Sequence, residues 1–219
     1  MSFPNFSFEK KLLQNGLKVI AGMDEVGRGS FAGPIITACV VFPDSFFKVG
    51  IPDDVLIDDS KRLNRKQRIK ADSWIKDNSL FFAIGVVSAA QINKIGLKKA
   101  SNIAFRKAIS KIHSQTQIDH LLMDAFYVPY LKGLDKTKQT AIIKGDQKSF
   151  SIAAASIVAK VYRDSLMQKL SIRYRKYDWA KNKGYGTKFH REAILKHGTT
   201  KHHRNKFIET WQLKLQGRI

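Results

Sequence analysis

Three short apolar runs in this sequence each end at or just before an aspartate. Together with the glutamate that follows the first of them, these acidic residues are Asp24, Glu25, Asp124 and Asp146. Ligand-binding crevices in open α/β sheets form at the ends of strands, so the four carboxylates are candidates for one common site. Aspartate is also a routine turn residue, and a purely structural role remains open on spacing alone.

Carboxylates brought close together repel one another and raise one another's pKa values unless cations lie between them. Carboxylate oxygens are hard ligands that suit Mg²⁺ or Mn²⁺. The chain has one cysteine and no paired histidines near these acids to offer a Zn²⁺ site. Two such ions, about 3.5–4 Å apart, can activate a water and stabilise the leaving oxygen of a phosphoryl displacement. The pattern therefore predicts a phosphodiester-cleaving site with two divalent ions.

The charge of the chain points to a polyanionic partner. It carries 39 lysines and arginines against 18 acidic residues, a formal net charge of +21 and an isoelectric point near 10.1. Such a field attracts nucleic acid, the commonest polyanion. The alternative, a lysine-rich surface that only keeps the protein in solution, remains open at this point.

The composition also bounds the compartment. Cys39 is the only cysteine and lies in an apolar stretch, which predicts a buried thiol and excludes an intrachain disulfide. Residues 1–10 have no apolar signal core, and no apolar run approaches the roughly 18 residues of a membrane span. We therefore expect a cytoplasmic protein without membrane contact.

Strands that alternate with helices must position these acids, which predicts an α/β domain with a mixed sheet. A turn-rich connection covers residues 43–59, and the stretch after residue 177 is basic and aromatic. Strand-like runs occupy residues 18–23, 34–42, 80–87, 120–123 and 140–143. Helices are predicted at residues 64–76, at 88–113 with a break at Gly96, at 151–174 and at 209–215.

Five sequence blocks, in order, resemble the bacterial ribonuclease HII family of type 2 RNases H. They are AGMDEVGRG with AGP (21–29, 32–34), DSKRL (59–63), MDA (123–125), KGD with SIAAASIVAKVYRD (144–146, 151–164) and KGYGT (183–187). The resemblance implies an RNase H-like fold, with a mixed five-stranded sheet flanked by helices and a C-terminal helical segment. The implied division is a short basic N-terminal extension (1–17), a catalytic domain (18–176) and a basic helical segment completing the substrate site (177–219).

The resemblance also implies an activity. Members of this family are metal-dependent endonucleases that cut the RNA strand of RNA/DNA hybrids. They also incise 5′ of a single ribonucleotide in duplex DNA, leaving 3′-hydroxyl and 5′-phosphate ends. By motif, the four acids identified above match the family's active-site carboxylates. Asp164 is a nearby alternative for the fourth position, but Asp146 is preferred because Asp164 lies inside a predicted helix, where pairing with a Lys or Arg is expected.

The substrate contacts follow from the same resemblance. The loop of Gly27, Arg28 and Gly29 corresponds to the loop that senses the ribose 2′-hydroxyl, the group that distinguishes RNA from DNA. Tyr185 corresponds to a ring that packs on the deoxyribose after the ribonucleotide. Ser60 and Lys61 are expected to contact phosphate. The same family implies Mg²⁺ or Mn²⁺ as cofactor and a monomer, with a sliding clamp as a possible partner.

Two local departures and two other functions stay open. Ser30 stands where the family often has proline, which would loosen the loop, and the run from His202 to Arg204 either holds a phosphate or is solvated. A basic RNA- or ribosome-associated protein without catalysis would explain the charge. A resolvase or DNA-only nuclease of the RNase H-like superfamily would explain the acids.

Overall fold

The structure is a computed structural model that describes residues 3–46 and 51–217. Parts of the predicted N-terminal extension, of the connection 43–59 and of the C-terminal segment therefore lie outside the described residues. Within them, five strands form one sheet in the order β3-β2-β1-β4-β5. The strands are β1 (Ile20–Val26), β2 (Ile35–Val41), β3 (Phe81–Val87), β4 (His120–Asp124) and β5 (Gln139–Ile142).

The sheet is mixed, as the sequence predicts. β2 pairs antiparallel with β1 and with β3, whereas β4 pairs parallel with β1 and with β5. The fold prediction is thus confirmed, with one informative difference in β1. This strand runs three residues past the predicted end at residue 23, so Asp24 and Glu25 are strand residues that point to opposite faces.

Helices cover both faces of the sheet. They are α1 (Ser7–Gln14), α2 (Arg65–Asn78), α3 (Ala89–Ile95), α4 (Leu97–His113), α5 (Phe150–Arg173), α6 (Trp179–Asn182), α7 (Lys188–His197) and α8 (Asn205–Leu215). α5 and α2 pack on one face and α4 on the other, each over a separate apolar cluster. The predicted caps Asn64 and Ser88 begin α2 and α3, and Gly96 separates α3 from α4. Cys39 is fully buried, as expected.

The small residues at the start of α5 allow this helix to lie directly against β1. A Cβ atom on Gly22 would stand 2.2 Å from the backbone carbon of Ser151, so only glycine is compatible with this approach. Alanines at 153–155 continue the contact and are fully buried. This close packing brings Ser156, one turn further on, level with the end of β1.

The N-terminal helix is tied to the start of α5 by a buried carboxylate. Glu9 accepts hydrogen bonds from the Ser149 hydroxyl (2.6 Å), the Ser151 hydroxyl (2.7 Å) and the Ser151 backbone N–H (2.9 Å). A carboxylate is favourable at the N-terminus of a helix, where backbone N–H groups lack partners. α1 therefore helps to fix the place at which the chain enters α5.

The C-terminal helices form a further apolar cluster around Trp179, Met167 and Ile208. α7 is absent from the sequence prediction, and α8 begins four residues earlier than predicted. The reason is the composition of α7, in which Phe189 and Leu195 are exposed and only His190, Ala193 and Ile194 are buried. Its pattern therefore resembles a basic loop. In the described part of the chain, no helix is both long and apolar enough to cross a membrane.

Candidate active site

Three neighbouring strands bring the predicted acids to one edge of the sheet. β1 carries Asp24 and Glu25, and β4 ends at Asp124, with Met23 paired to Met123 in the parallel register. β5 leads through a left-handed residue, Lys144 (φ 56°), into a short 3₁₀ turn that holds Asp146. Asp24 and Asp124, which are 100 residues apart in sequence, thus stand at the ends of adjacent strands.

Hydrogen bonds fix two of these carboxylates to the backbone. Asp24 Oδ1 accepts from the N–H of Glu25 at 2.7 Å, and Asp124 Oδ1 accepts from the N–H of Gly145 at 2.8 Å. The second bond joins the end of β4 to the turn that holds Asp146. The positions of Asp124 and Asp146 are therefore coupled through one backbone group.

The electrostatics of the site show negative charge that the protein does not fully compensate. Burial raises the pKa of Asp24 well above its usual value, and Glu25 and Asp124 raise it further, against a hydrogen bond from Ser156. Burial raises the pKa of Glu25 to about 7 despite the opposing charge of Arg28. Burial likewise raises the pKa of Asp146, which the charge of Lys61 opposes. Each shift marks a carboxylate that a further cation would stabilise.

The donor set fits a hard divalent cation. Among residues 3–46 and 51–217, no group of three or more His, Cys, Asp and Glu side chains stands arranged around one ion position. Three acids at the site contact cationic side chains. Lys61 Nζ lies 3.2 Å from Asp146 and 3.7 Å from Asp59, and Arg28 lies 3.3 Å from Glu25. Oxygen ligands with raised pKa values beside mobile cations suit Mg²⁺ or Mn²⁺, which would compete with those side chains.

Asp59 is a site-edge acid that the sequence prediction did not single out. It is 5% exposed, accepts a hydrogen bond from Gln147 at 3.2 Å, and contacts Lys61 beside Asp146. Its position inside the DSKRL block was the available signal. Asp164, the alternative for the fourth carboxylate, pairs with Lys160 at 2.8 Å inside α5, as predicted.

A cavity of about 580 Å³ joins most of the predicted site residues. Lys160, Arg68 and Ser156 contribute further polar groups to its wall. The predicted residues that line it are Asp24, Glu25, Gly27, Arg28, Ser60, Lys61 and Tyr185. Asp124, Asp146 and Gly29 are absent from this lining, although Asp124 and Asp146 contact or repel residues that form it. The Ser60 hydroxyl is buried and lies 2.9 Å from the Ser156 hydroxyl.

The fold requires glycine at one of the two glycine positions of the Gly-Arg-Gly loop but not at the other. Gly27 has φ +97°, and a Cβ atom there would stand 2.3 Å from Nε of Arg163. The fold itself therefore requires glycine at this position. Gly29 is exposed, and a Cβ atom there would meet nothing within 4 Å. The fold leaves the surface of Gly29 open to a ligand.

Two buried arginines that sequence reasoning missed hold this loop in place. Arg163 donates to the carbonyls of Pro34 (3.1 Å), Lys183 (2.8 Å) and Ala32 (3.1 Å) and to the Ser30 hydroxyl (2.9 Å). Its guanidinium lies 5.5 Å from the centre of the Tyr185 ring. The expectation that Ser30 loosens the loop is thus wrong, because its hydroxyl is a partner of Arg163.

Arg204 has a similar role from the C-terminal segment. It is fully buried and donates to the carbonyls of Gly33 (2.9 and 3.0 Å) and Arg28 (2.8 Å). His203 is fully buried as well. The expectation that residues 202–204 hold a phosphate or are solvated is therefore wrong for His203 and Arg204. A charged residue gives no sequence signal of burial unless its partners are known, and here the partners are backbone carbonyls.

A buried histidine pair supports the segment of Tyr185. The indole N–H of Trp179 donates to Nε2 of His190 (3.0 Å), and Nδ1 of His190 lies 2.9 Å from the carbonyl of Tyr185. Nε2 of His203 lies 3.2 Å from the same Nε2 of His190. Burial and the neighbouring His190 lower the pKa of His203 to about 4. Nε2 of His190 thus accepts a hydrogen bond, and both rings are hydrogen-bonding parts of the fold.

Comparison with known proteins gives a consistent family. The sequence model of the family described as Ribonuclease HII matches residues 21–210 of this chain. Ribonuclease HII of Caldanaerobacter subterraneus subsp. tengcongensis is 44% identical over 202 residues, which cover 92% of this chain and 79% of the relative. Ribonuclease HII of Pediococcus pentosaceus is 41% identical over 202 residues, which cover 92% of this chain and 74% of that one.

Solved structures share the fold. Ribonuclease H2 from Pyrococcus horikoshii matches with a TM-score of 0.64 at 23% identity, over 89% of this chain and 99% of that one. Bst-RNase HIII in complex with Mn²⁺ matches with a TM-score of 0.65 at 20% identity, over 88% of this chain and 65% of that one. RNase HII in the PCNA:RNase HII complex from Archaeoglobus fulgidus matches with a TM-score of 0.63 at 21% identity, over 92% and 91%. With a matching family description over most of its length and relatives above 40% identity, this chain belongs to the ribonuclease HII family.

Proposed function

We propose that the chain is an endoribonuclease H whose active centre is formed by Asp24, Glu25, Asp124 and Asp146. It cleaves the RNA strand of RNA/DNA hybrids and incises 5′ of single ribonucleotides in duplex DNA, leaving 3′-hydroxyl and 5′-phosphate ends. The observation that carries this proposal is that Asp24, Glu25 and Asp124 stand at the ends of the adjacent strands β1 and β4, with Asp146 on the turn after β5, and that these acids raise one another's pKa values. The cavity beside Asp24 and Glu25 is lined by Arg28 and Tyr185, from the two loops expected to recognise the sugars.

The four carboxylates would hold two divalent ions, Mg²⁺ or Mn²⁺. When bound, such ions activate a water and stabilise the leaving oxygen of the phosphodiester. The chain's own part is to hold the carboxylates in place through the backbone bonds at Glu25 and Gly145. The raised pKa values of Asp24, Glu25 and Asp146 support this assignment, because a cation bound beside these carboxylates would stabilise their ionised forms.

Lys61 and Arg28 have side chains that can move from carboxylate to substrate. The Lys61 side chain is 75% exposed while its ammonium contacts Asp146 and Asp59, and the Arg28 side chain is 44% exposed. When ions neutralise the acids, both cations become available for the phosphates of the bound strand. Ser60 supports Lys61 from below, with its hydroxyl held by Ser156.

The sugar is recognised at the Gly-Arg-Gly loop and at Tyr185. Gly29 has open space around its Cα, so the backbone can approach a 2′-hydroxyl closely. The Tyr185 ring is 37% exposed and is backed by the Arg163 guanidinium, which leaves an edge free to pack against a deoxyribose. A ring in this position favours a following sugar that lacks a 2′-hydroxyl.

The finer predictions on partners and compartment remain part of this proposal. We expect a monomer that acts in the cytoplasm, and a sliding clamp as a possible partner, since one structural relative is a PCNA:RNase HII complex. Light scattering of the free protein, followed by gel filtration with a purified clamp, would test both points. Co-elution with the clamp is the supporting result, and separate peaks at high concentration would contradict it.

The decisive experiment uses three duplexes of one sequence: an RNA/DNA hybrid, a DNA duplex with one ribonucleotide, and DNA alone. We expect Mg²⁺- or Mn²⁺-dependent cleavage of the first two, with the second cut 5′ of the ribonucleotide, and no cleavage of the third. Binding without cleavage of any duplex would favour the RNA- or ribosome-associated alternative. Equal cleavage of all three would favour a resolvase or DNA-only nuclease.

A further inference from the structure

A second cavity, of about 830 Å³, lies beside the candidate active site and shares Arg28 with it. One wall is the start of α4, with Leu97 and Lys98. The other wall is the segment 126–136, which follows directly after Asp124. We call this cavity the aromatic groove, defined by Arg28, Lys98, Phe126, Tyr127, Tyr130 and Lys136.

The two tyrosine rings of the groove are presented to solvent rather than to the core. Tyr130 is 90% exposed and Tyr127 is 43% exposed. Tyr130 also has a positive φ of 59°, as has Ala125 (60°) at the start of the segment. Such a conformation costs free energy for a non-glycine residue and is concentrated at functional sites. Neither core packing nor backbone preference accounts for a tyrosine held outward at this position.

Each ring of the groove lies beside a cation. The Arg106 guanidinium is 5.7 Å from the centre of the Tyr130 ring, and Lys136 Nζ is 5.1 Å from that of Tyr127. Arg106 is fixed by two hydrogen bonds to the carbonyl of Pro129 (2.9 and 3.3 Å), so its charge stays next to the ring. Lys98 and Lys136 in the groove, and Arg106 next to it, therefore place positive charges beside flat apolar surfaces.

The charge of the lining favours a polyanion. Arg28, Lys98 and Lys136 line the groove, and Asp135 is the one acid among the described lining residues. Asp135 caps a 3₁₀ turn, accepting hydrogen bonds from the N–H (2.8 Å) and hydroxyl (2.5 Å) of Thr137. Aromatic surfaces interleaved with cations are the pattern of sites that follow a nucleic-acid strand.

We propose that the aromatic groove binds a strand of the nucleic acid substrate beyond the cleavage site. Lys98, Arg106 and Lys136 contact its phosphates, while Tyr127 and Tyr130 pack against its sugars or unpaired bases. The proposal rests on the proposed function. Arg28 lines both the groove and the cavity beside the carboxylates, so a strand that leaves the cavity can enter the groove. It adds a subsite that is separate from the Gly-Arg-Gly loop and from Tyr185.

The test compares substrates that differ only in the length of their arms. A short duplex with one ribonucleotide ends close to the cleavage site. Extended versions carry one further helical turn on the 5′ or on the 3′ side, either as duplex or as a single strand. The variants are Tyr127→Ala/Tyr130→Ala and Lys98→Gln/Lys136→Gln. The matched control, Phe82→Ala/Lys76→Gln, removes one exposed ring on edge strand β3 and the neighbouring cation on α2.

We expect wild type to have a lower KM for at least one extended substrate than for the short one. Both groove variants should lose this gain, with KM raised about tenfold on that substrate and kcat unchanged. The lysine variant should also lower the salt dependence of binding, by about 0.9 in slope for each lost phosphate contact. Duplex and single-stranded arms distinguish packing on paired sugars from stacking on unpaired bases.

The outcome separates the groove from the active centre. Equal KM values for variants and wild type on every extended substrate, with normal cleavage, would overturn the groove assignment and leave the proposed function intact. The same holds if the β3 control loses as much affinity as the groove variants. Failure of wild type to cleave even the short duplex would instead contradict the proposed function.

Discussion

Two clusters of buried charge lie on either side of the Gly-Arg-Gly loop, and they differ in how their charge is satisfied. On one side, Asp24 and Asp146 are about 95% buried and keep carboxylate oxygens directed toward cationic side chains or the cavity. On the other side, Arg163 and Arg204 are fully buried, and their donors are occupied by carbonyls and one hydroxyl. The acids can accept a new partner, whereas the arginines are closed off from solvent and most of their N–H donors are already bound within the protein.

This difference distinguishes the acids, which can bind ions, from the arginines, which stabilise the fold. A carboxylate with a raised pKa gains free energy when a cation arrives, so its cluster responds to ions and substrate. A fully buried guanidinium bound to backbone carbonyls is not accessible to a ligand, and removing it leaves several buried acceptors without donors. The acids should therefore be expendable for folding but necessary for cleavage. The arginines should be necessary for folding and for the shape of the loop.

The largest effect is expected from the acids. Asp24→Asn and Asp124→Asn should each reduce the rate of cleavage by at least about 10³-fold, because an amide is a poor ligand for a divalent ion. Substrate binding should remain within a few fold, since it comes mainly from Lys and Arg on phosphates. Single-turnover cleavage and fluorescence anisotropy measure the two properties. Asp146→Asn should be severely impaired and Asp164→Asn nearly normal, and the reverse order would show that the fourth carboxylate is misassigned.

The next effect concerns the arginines. Arg163→Met should lower the free energy of unfolding by about 3 kcal/mol or more, because the carbonyls of residues 32, 34 and 183 lose buried donors. Urea unfolding measures the loss. Arg173→Met is the control, since this exposed arginine contacts Tyr174 at the surface and should change stability little. If the Arg163 variant were as stable as the control, Arg163 would not stabilise the fold in the way described above.

The acid cluster and the buried pair of His190 and His203 should respond to pH in opposite directions. Glu25 has a pKa raised from 4.5 to about 7, so its unfolded form ionises first and stability of the metal-free protein falls as pH rises through this range. His203 has a pKa lowered from 6.5 to about 4, so its unfolded form binds the proton first and stability falls as pH drops through that range. Each effect is at most on the order of 3 kcal/mol.

Urea unfolding in EDTA, at several pH values, tests this contrast. Glu25→Gln should remove part of the loss toward neutral pH, and added Mg²⁺ should reduce the same loss in wild type. His203→Asn should flatten the profile on the acid side relative to wild type. If the Glu25 variant instead changed only the acid limb, the carboxylate cluster would not carry the uncompensated charge described above.

The smallest changes in stability are expected for the two glycines of the Gly-Arg-Gly loop. Gly27→Ala should lower stability by about 1–3 kcal/mol, because its Cβ atom meets Arg163 and its φ is positive. Gly29→Ala should leave stability within about 0.5 kcal/mol, since its surroundings are open. Cleavage at a single ribonucleotide should nevertheless fall for Gly29→Ala, because the added methyl group obstructs approach of the sugar. Normal cleavage by this variant would mean that the 2′-hydroxyl is not read at Gly29.

Much of the fold was accessible from local sequence signals. Asn64, Ser88 and Gly96 mark helix boundaries through capping chemistry that acts within a few residues, and the structure has the boundaries there. α7 was missed because its apolar side chains are split between the exposed and buried faces. Its burial depends on the separate cluster around Trp179, which no local pattern reveals.

Some residues of the candidate site could likewise be predicted from local sequence patterns, and others could not. Asp24, Asp124 and Asp146 were visible because an acid after an apolar strand is a pattern with a physical meaning. Arg163 and Arg204 were not visible, because their partners are backbone carbonyls that lie more than 100 residues away in some cases. Ser30 shows the same limit, since a hydroxyl in place of a ring only makes sense once Arg163 is seen to bind it.

The bond from Arg204 to the carbonyl of Arg28 spans 176 residues of sequence. Such a contact closes a very long loop and is expected late in folding, after the sheet and α5 are formed. During synthesis the carboxylates can therefore come together well before the loop between them and the C-terminal segment is fixed. A chain that stops before residue 204 would carry the four carboxylates without the bond that fixes the Gly-Arg-Gly loop. On the proposed role of this loop, we expect selectivity for ribonucleotides to be the last property that the protein acquires as it leaves the ribosome.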